Sequence, residues 1–162
     1  MISKDLKKLK KLCELKQIKI SLAESCTGGL VSSSITSIAG SSNFFESAII
    51  SYSNNAKIEL LGINKNLILK NGAVSKEVAL SMAKNLHRLT RSHICASITG
   101  IAGPGGGSKQ KPVGTVYFSI YKKIGNKITI NNYKKIFNSK NRIIIQKKSN
   151  DFLLRELLAI ID

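Results

Sequence analysis

At 162 residues the chain has the length of one domain, with enough interior to bury a core without disulfide or metal staples. Its 43% hydrophobic content is that of a globular protein, and Lys, Asn or Ser breaks every apolar run well short of a membrane span. The net charge of +17 suits phosphate-bearing ligands, but 22 of the 26 basic residues are Lys, spread along the chain without aromatic interleaving, which argues against a nucleic-acid surface.

The first eight residues lack the apolar core and small-residue cleavage site of a secretory signal, so a cytoplasmic protein is expected. Leu6, Leu9, Leu12, Cys13 and Leu15 then recur at helical spacing among lysines over residues 3–16. A short strand is expected over 18–23, followed by a helix from Gly28 to Ser37 that stops near Gly40. Ser47 to Ser53 is rich in strand formers. Asn54 or Asn55 can cap a helix through Lys57 to Leu61, and Gly62 ends it.

A short helix over 64–69 and an Asn71-Gly72 turn lead to Ser75, which opens an amphipathic helix over 76–91. Residues 93–99 read as a strand running into the glycine-rich stretch from Gly100 to Ser108. Strands over 113–121 and 127–137 flank a Gly125-Asn126 turn, and a helix closes the chain over 142–161. The alternation predicts α/β layers rather than a bundle, in a single domain over residues 1–162. The hairpin makes the sheet mixed, with the remaining strands mostly parallel.

Ser25 stands at a strand-to-helix turn, where unpaired N–H groups favour an anion. Serine needs a neighbouring base. His87 and His93 sit in a helical pattern and before a strand, which leaves no Ser-His-Asp arrangement. Lysine can serve if desolvation lowers its pKa, and tyrosine can relay the proton. Tyr52 and Lys57 fall on one rim of the sheet, although 21 other lysines compete on spacing alone.

Cys26 is a second nucleophile candidate, against the commoner role of a free Cys as a small buried hydrophobe. Glu24 can bond the backbone donors of the turn or orient a substrate amide, and the structural role suits its position better. The Gly100 to Ser108 stretch can approach a phosphate or ribose closely, yet it matches neither the phosphate loop of NTPases nor the dinucleotide fingerprint. The three scattered cysteines support no metal site or disulfide framework.

Six segments together resemble the CinA C-terminal family, whose stand-alone members include nicotinamide-nucleotide amidases. They are Ala23-Glu24-Ser25-Cys26-Thr27-Gly28-Gly29, Ile38-Ala39-Gly40-Ser41-Ser42, Tyr52-Ser53-Asn54-Asn55-Ala56-Lys57, Gly72-Ala73-Val74-Ser75, Thr99-Gly100-Ile101-Ala102-Gly103-Pro104 and Lys111-Pro112-Val113-Gly114-Thr115-Val116. The resemblance implies hydrolysis of the carboxamide of nicotinamide mononucleotide to nicotinate mononucleotide and ammonia. It implies a three-layer α/β/α domain with a mixed, mostly parallel sheet, and Ser25 as nucleophile, with Tyr52 and Lys57 activating it.

It further implies that Cys26, Thr27, Gly28 and Gly29 contact the substrate, together with Ser42 and Asn54. Thr99, Gly100, Gly103 and Arg142 complete that implied set. The partner would be a small-molecule pyridine nucleotide and a second copy of the chain in a homo-oligomer, with no cofactor, no metal, no membrane and no nucleic acid. Two departures stand out. No molybdopterin-binding-like N-terminal domain, which many relatives carry, is expected here, and four residues beyond the segment Ser139-Lys140-Asn141-Arg142 stands Gln146 where a second arginine is usual. Against the amidase stand an accessory or nucleic-acid-binding protein that keeps the fold, and an amidase for another small amide.

Overall fold

The computed structural model describes residues 2–162. Helix α1 (Ile2–Leu15) leads into β1 (Ile20–Glu24), which is buried along its whole length. After α2 (Leu30–Thr36) and a 3-10 turn at Ser41–Asn43 comes β2 (Phe45–Ile50). Three helices follow, α3 (Asn54–Leu61), α4 (Lys65–Asn71) and α5 (Lys76–Thr90), and then β3 (Ile94–Gly100). The hairpin β4 (Thr115–Ile124) and β5 (Lys127–Ile136) precedes α6 (Arg142–Ile161).

The strands order as β2-β1-β3-β4-β5. β1 pairs in parallel with both β2 and β3, while β3–β4 and β4–β5 are antiparallel. The sheet is therefore mixed, and four of its five strands run the same way. Its pairings divide evenly, because the hairpin adds an antiparallel half to the parallel one.

Strand alternation splits the core into two layers. Ile20, Leu22, Ile94, Ala96 and Ile98 face α1, α2 and α6, whose Leu9, Val31, Leu153 and Leu157 complete a large cluster. On the opposite face Ala23 and Cys95 meet Val78, Met82 and Leu86 of α5, joined by Leu61 and Ile68. Small side chains here let α5 approach closely, and Ser97 Oγ donates to the Ala79 carbonyl at 2.6 Å.

Several ends differ from expectation for local reasons. Ser53, not Asn54 or Asn55, caps α3 by accepting the Ala56 N–H. Helix α2 starts at Leu30 rather than Gly28, since Gly28 and Gly29 adopt φ of 60° and 97° and extend the turn. Ser25 thus sits at a strand end followed by a turn, not at a helix start.

The connections fix where a ligand can enter. The segment leaving β1 crosses one face through α2, and the segment leaving β2 crosses the other through α3–α5. Where neighbouring connections part to opposite faces, a crevice opens at the carboxyl ends of the strands. Here it lies between Ser25 and Ser51.

Candidate active site

Ser25 and Lys57 meet in that crevice. Lys57 Nζ donates to Ser25 Oγ at 2.9 Å, to the Ser51 carbonyl at 2.8 Å and to the Tyr52 carbonyl at 3.4 Å. The first turn of α3 projects the lysine back over the end of β2, where it is only 1% exposed, and Ser25 is 7% exposed. Burial pushes the Lys57 pKa below the usual lysine range. A Cys26 thiolate would oppose that shift, but burial raises the Cys26 thiol to about 12 and keeps it protonated. Cys26 is buried, as a small hydrophobe is, and it is Ser25 that Lys57 contacts.

The two carbonyls matter for the direction of proton transfer. A neutral amine has two N–H bonds and one lone pair. With its hydrogens on the Ser51 and Tyr52 oxygens, its lone pair is left for the Ser25 hydroxyl.

Glu24 organises the turn. Its carboxylate is fully buried and accepts from Thr27 Oγ1 at 2.6 Å, the Gly29 N–H at 3.0 Å, the Val31 N–H at 3.3 Å, the Ser32 N–H at 2.8 Å and Ser32 Oγ. It thereby fills the anion position that the start of α2 offers. The Gly28 N–H is also engaged, on the Ser25 carbonyl at 3.0 Å. The N–H groups of Ser25, Cys26 and Thr27 have no acceptor among the described residues. Cys26 and Thr27 are therefore the donors after Ser25 that can meet an anion beside it, whereas Gly28, one of the residues implied to contact the substrate, has its N–H already spent.

Tyr52 has a different partner from the one expected. The residue is 58% exposed, and its phenol accepts from Arg142 rather than bonding Ser25 or Lys57. What Tyr52 gives Lys57 is its backbone carbonyl. Arg142 also donates to the Gly103 carbonyl at 2.9 Å, so it ties the glycine-rich loop to the end of β2. One turn further along α6, Gln146 Nε2 donates to the Cys26 carbonyl at 2.8 Å. Its spacing of four from Arg142 was the only trace of this contact in the sequence.

Thr99 and Gly100 end β3 beside Ser25, because Glu24 pairs with Ile98. The Thr99 hydroxyl donates to the Ala73 carbonyl at 2.9 Å. Asn54 is exposed at the first turn of α3, next to Tyr52. Ser42 does not join this group within one chain. It precedes β2, so the full length of that strand, about 20 Å, separates it from the crevice, and its carbonyl bonds Lys19 instead. A cleft of about 440 Å³ adjoins the turn, walled by Gly28, Gly29 and Ser33 on one side and by Ile143, Gln146 and Lys147 on the other.

The family model described as CinA C-terminal domain matches residues 3–161. A CinA-like protein of Prochlorococcus marinus subsp. pastoris is 51% identical over 154 residues, covering 94% of this chain and 35% of that protein. Another, from Thermosipho melanesiensis, is 46% identical over 143 residues, covering 86% of this chain and 35% of its own length. The chain thus spans about a third of the length of these curated relatives. Among solved structures, the competence/damage inducible protein CihA of Agrobacterium tumefaciens superposes with a TM-score of 0.89 at 32% identity, covering 98% of this chain and 96% of that one. A competence or damage-inducible protein of Enterobacter asburiae gives 0.91 at 26% identity, with coverage of 100% and 99%.

Proposed function

The chain belongs to the CinA C-terminal domain family, and from that premise we propose that it is an amidase that hydrolyses the carboxamide of nicotinamide mononucleotide through Ser25. The observation that carries this reading is the 2.9 Å contact between Ser25 Oγ and the buried, pKa-lowered Lys57 amine. A serine with a desolvated base and no histidine suits acyl transfer.

Ser25 Oγ attacks the amide carbon while neutral Lys57 takes the hydroxyl proton. The negative charge that develops on the carbonyl oxygen meets the N–H groups of Cys26 and Thr27, a contribution of about 3 kcal/mol per well-aimed donor. The C–N bond then breaks, Lys57 returns the proton to nitrogen, and ammonia leaves an acyl-Ser25. Water attacks that ester with Lys57 as base, which releases nicotinate mononucleotide and restores the serine. Tyr52 and Arg142 form the rim. Arg142 has five N–H groups, and two are spent on Gly103 and Tyr52, so the rest can meet the substrate phosphate. Binding energy from ribose and phosphate holds the amide over Ser25.

Ammonia release from the mononucleotide tests the reading. Ser25→Ala is expected to lose at least about a thousandfold in kcat while binding substrate nearly as well. Full turnover by that variant sinks the nucleophile, and no release by the native protein sinks the substrate.

A further inference from the structure

The peptide group joining Cys26 to Thr27 is held by a side chain 120 positions away, through the 2.8 Å bond from Gln146 Nε2 to the Cys26 carbonyl. That carbonyl shares one planar unit with the Thr27 N–H, and in a trans peptide the two point in opposite directions. Anchoring the oxygen therefore aims the N–H. Rotation of the unit would put a carbonyl oxygen where the donor had been, and an attractive place for an oxyanion would become a repulsive one.

Two further features support the anchor. The Thr27 N–H has no acceptor among the described residues, although the neighbouring Gly28 and Gly29 donors are both used. Gln146 is carried on regular helix, five positions after Asn141, which caps α6 by accepting from the Ile143 and Ile144 N–H groups. The Ser25 turn is thus braced from inside by Glu24 and from outside by Gln146.

Resting on the amidase reading above, we infer that Gln146 is a positioning residue that holds the Cys26–Thr27 peptide so that the Thr27 N–H meets the oxyanion formed at Ser25. It acts through the backbone and touches neither the reacting carbon nor the base. Its side chain borders the 440 Å³ cleft, so longer or differently charged side chains have room there, and substitution probes the hydrogen bond more than the packing.

The test uses Gln146→Met, Gln146→Arg and Gln146→Glu with two readouts: kcat and KM for ammonia release from nicotinamide mononucleotide, and the rate at which a fluorophosphonate labels Ser25. The probe's phosphoryl oxygen needs the same donors but none of the substrate contacts. Met is expected to lower kcat and labelling together by about a hundredfold, the loss that goes with one misdirected oxyanion donor, with KM within about twofold. Arg restores a donor and recovers most of both rates. Glu starts as low as Met at neutral pH and gains on the native protein, compared at each pH, as the solution is acidified and the carboxyl becomes a donor.

Undiminished rates in the Met variant overturn the role. So does a rise in KM alone, which makes Gln146 a substrate contact, or failure of Arg and acidified Glu to recover. Should Met not fold, the Arg and Glu series decides. A native protein that is labelled at Ser25 but releases no ammonia overturns the proposed substrate, and the labelling series still judges Gln146. Absence of labelling overturns the nucleophile and this role together.

Discussion

Two glycine-containing loops leave the carboxyl ends of neighbouring parallel strands, and they are built in opposite ways. The turn after β1 is closed on itself. Ser25, Cys26 and Thr27 are buried, and Glu24 gathers five donors. The loop after β3 is open. Gly105, Gly106 and Gly107 are exposed, and the loop is tied down by Arg142 on Gly103 and by the Ser108 hydroxyl accepting from Lys111. Glycine marks both loops in the sequence, yet it does different work in each. In the first, glycines allow a turn whose later donors close onto the Glu24 carboxylate. In the second, they leave backbone free to face a ligand.

Removing the organiser of the closed loop should have the largest effect. Glu24→Ala strands the Gly29, Val31 and Ser32 N–H groups, and unmet buried donors cost ~1–3 kcal/mol each, so a loss of about 4 kcal/mol is expected in urea unfolding. A loss below about 1 kcal/mol would show that the carboxylate does not hold the turn. Next comes Gly100→Ala at the root of the open loop. Its Cβ would lie 2.8 Å from Val116 Cγ2 and 3.0 Å from the Thr115 carbonyl oxygen of the paired strand. About 2 kcal/mol of destabilisation follows from that overpacking, and an unchanged unfolding midpoint would break the steric argument.

Lys57 sharpens the comparison through pH. Its folded pKa lies below the ordinary 10.5, so between the two values the unfolded chain binds more protons than the native one. Stability from this group therefore rises with pH across that window. The difference in unfolding free energy between the native protein and Lys57→Met should shift in favour of the native protein as pH climbs. A difference independent of pH would mean the lysine is not desolvated. The acylation rate should rise along the same limb, as the amine becomes neutral. The smallest effect belongs to the tip of the open loop. A Cβ at Gly105 would meet nothing within 4 Å, so Gly105→Ala should stay within about 0.5 kcal/mol of the native stability, and a larger change would mean the tip is as constrained as the turn.

Much of the fold was legible in the chain. Helical spacing in α1 and α5, the strands read over 18–23 and 93–99 and the Gly125-Asn126 turn placed the elements to within a few residues. Among the ends that moved, those at α2 and α3 depended on whether Gly28 and Ser53 adopt turn or cap geometry, and neighbouring backbone settles that. Ser25 and Lys57 could be named, but not their contact, because spacing says nothing about which turn of α3 looks back into the crevice. Gln146 read as a lost arginine, and its hold on Cys26 had no signal beyond a spacing of four. Ser42 carried a motif and lies at the wrong end of β2 for this crevice within one chain.

The chain alone determined the periodicities, the capping and turn residues and the absence of a serviceable histidine, all of which are local properties written in consecutive side chains. Folding decided the rest. It set the reversal of connections that opens the crevice between β1 and β2, the burial that lowers Lys57, and the spending of each N–H in the Ser25 turn. Those depend on residues distant in sequence, since the energy of a charge or an unpaired donor is set by what surrounds it in space.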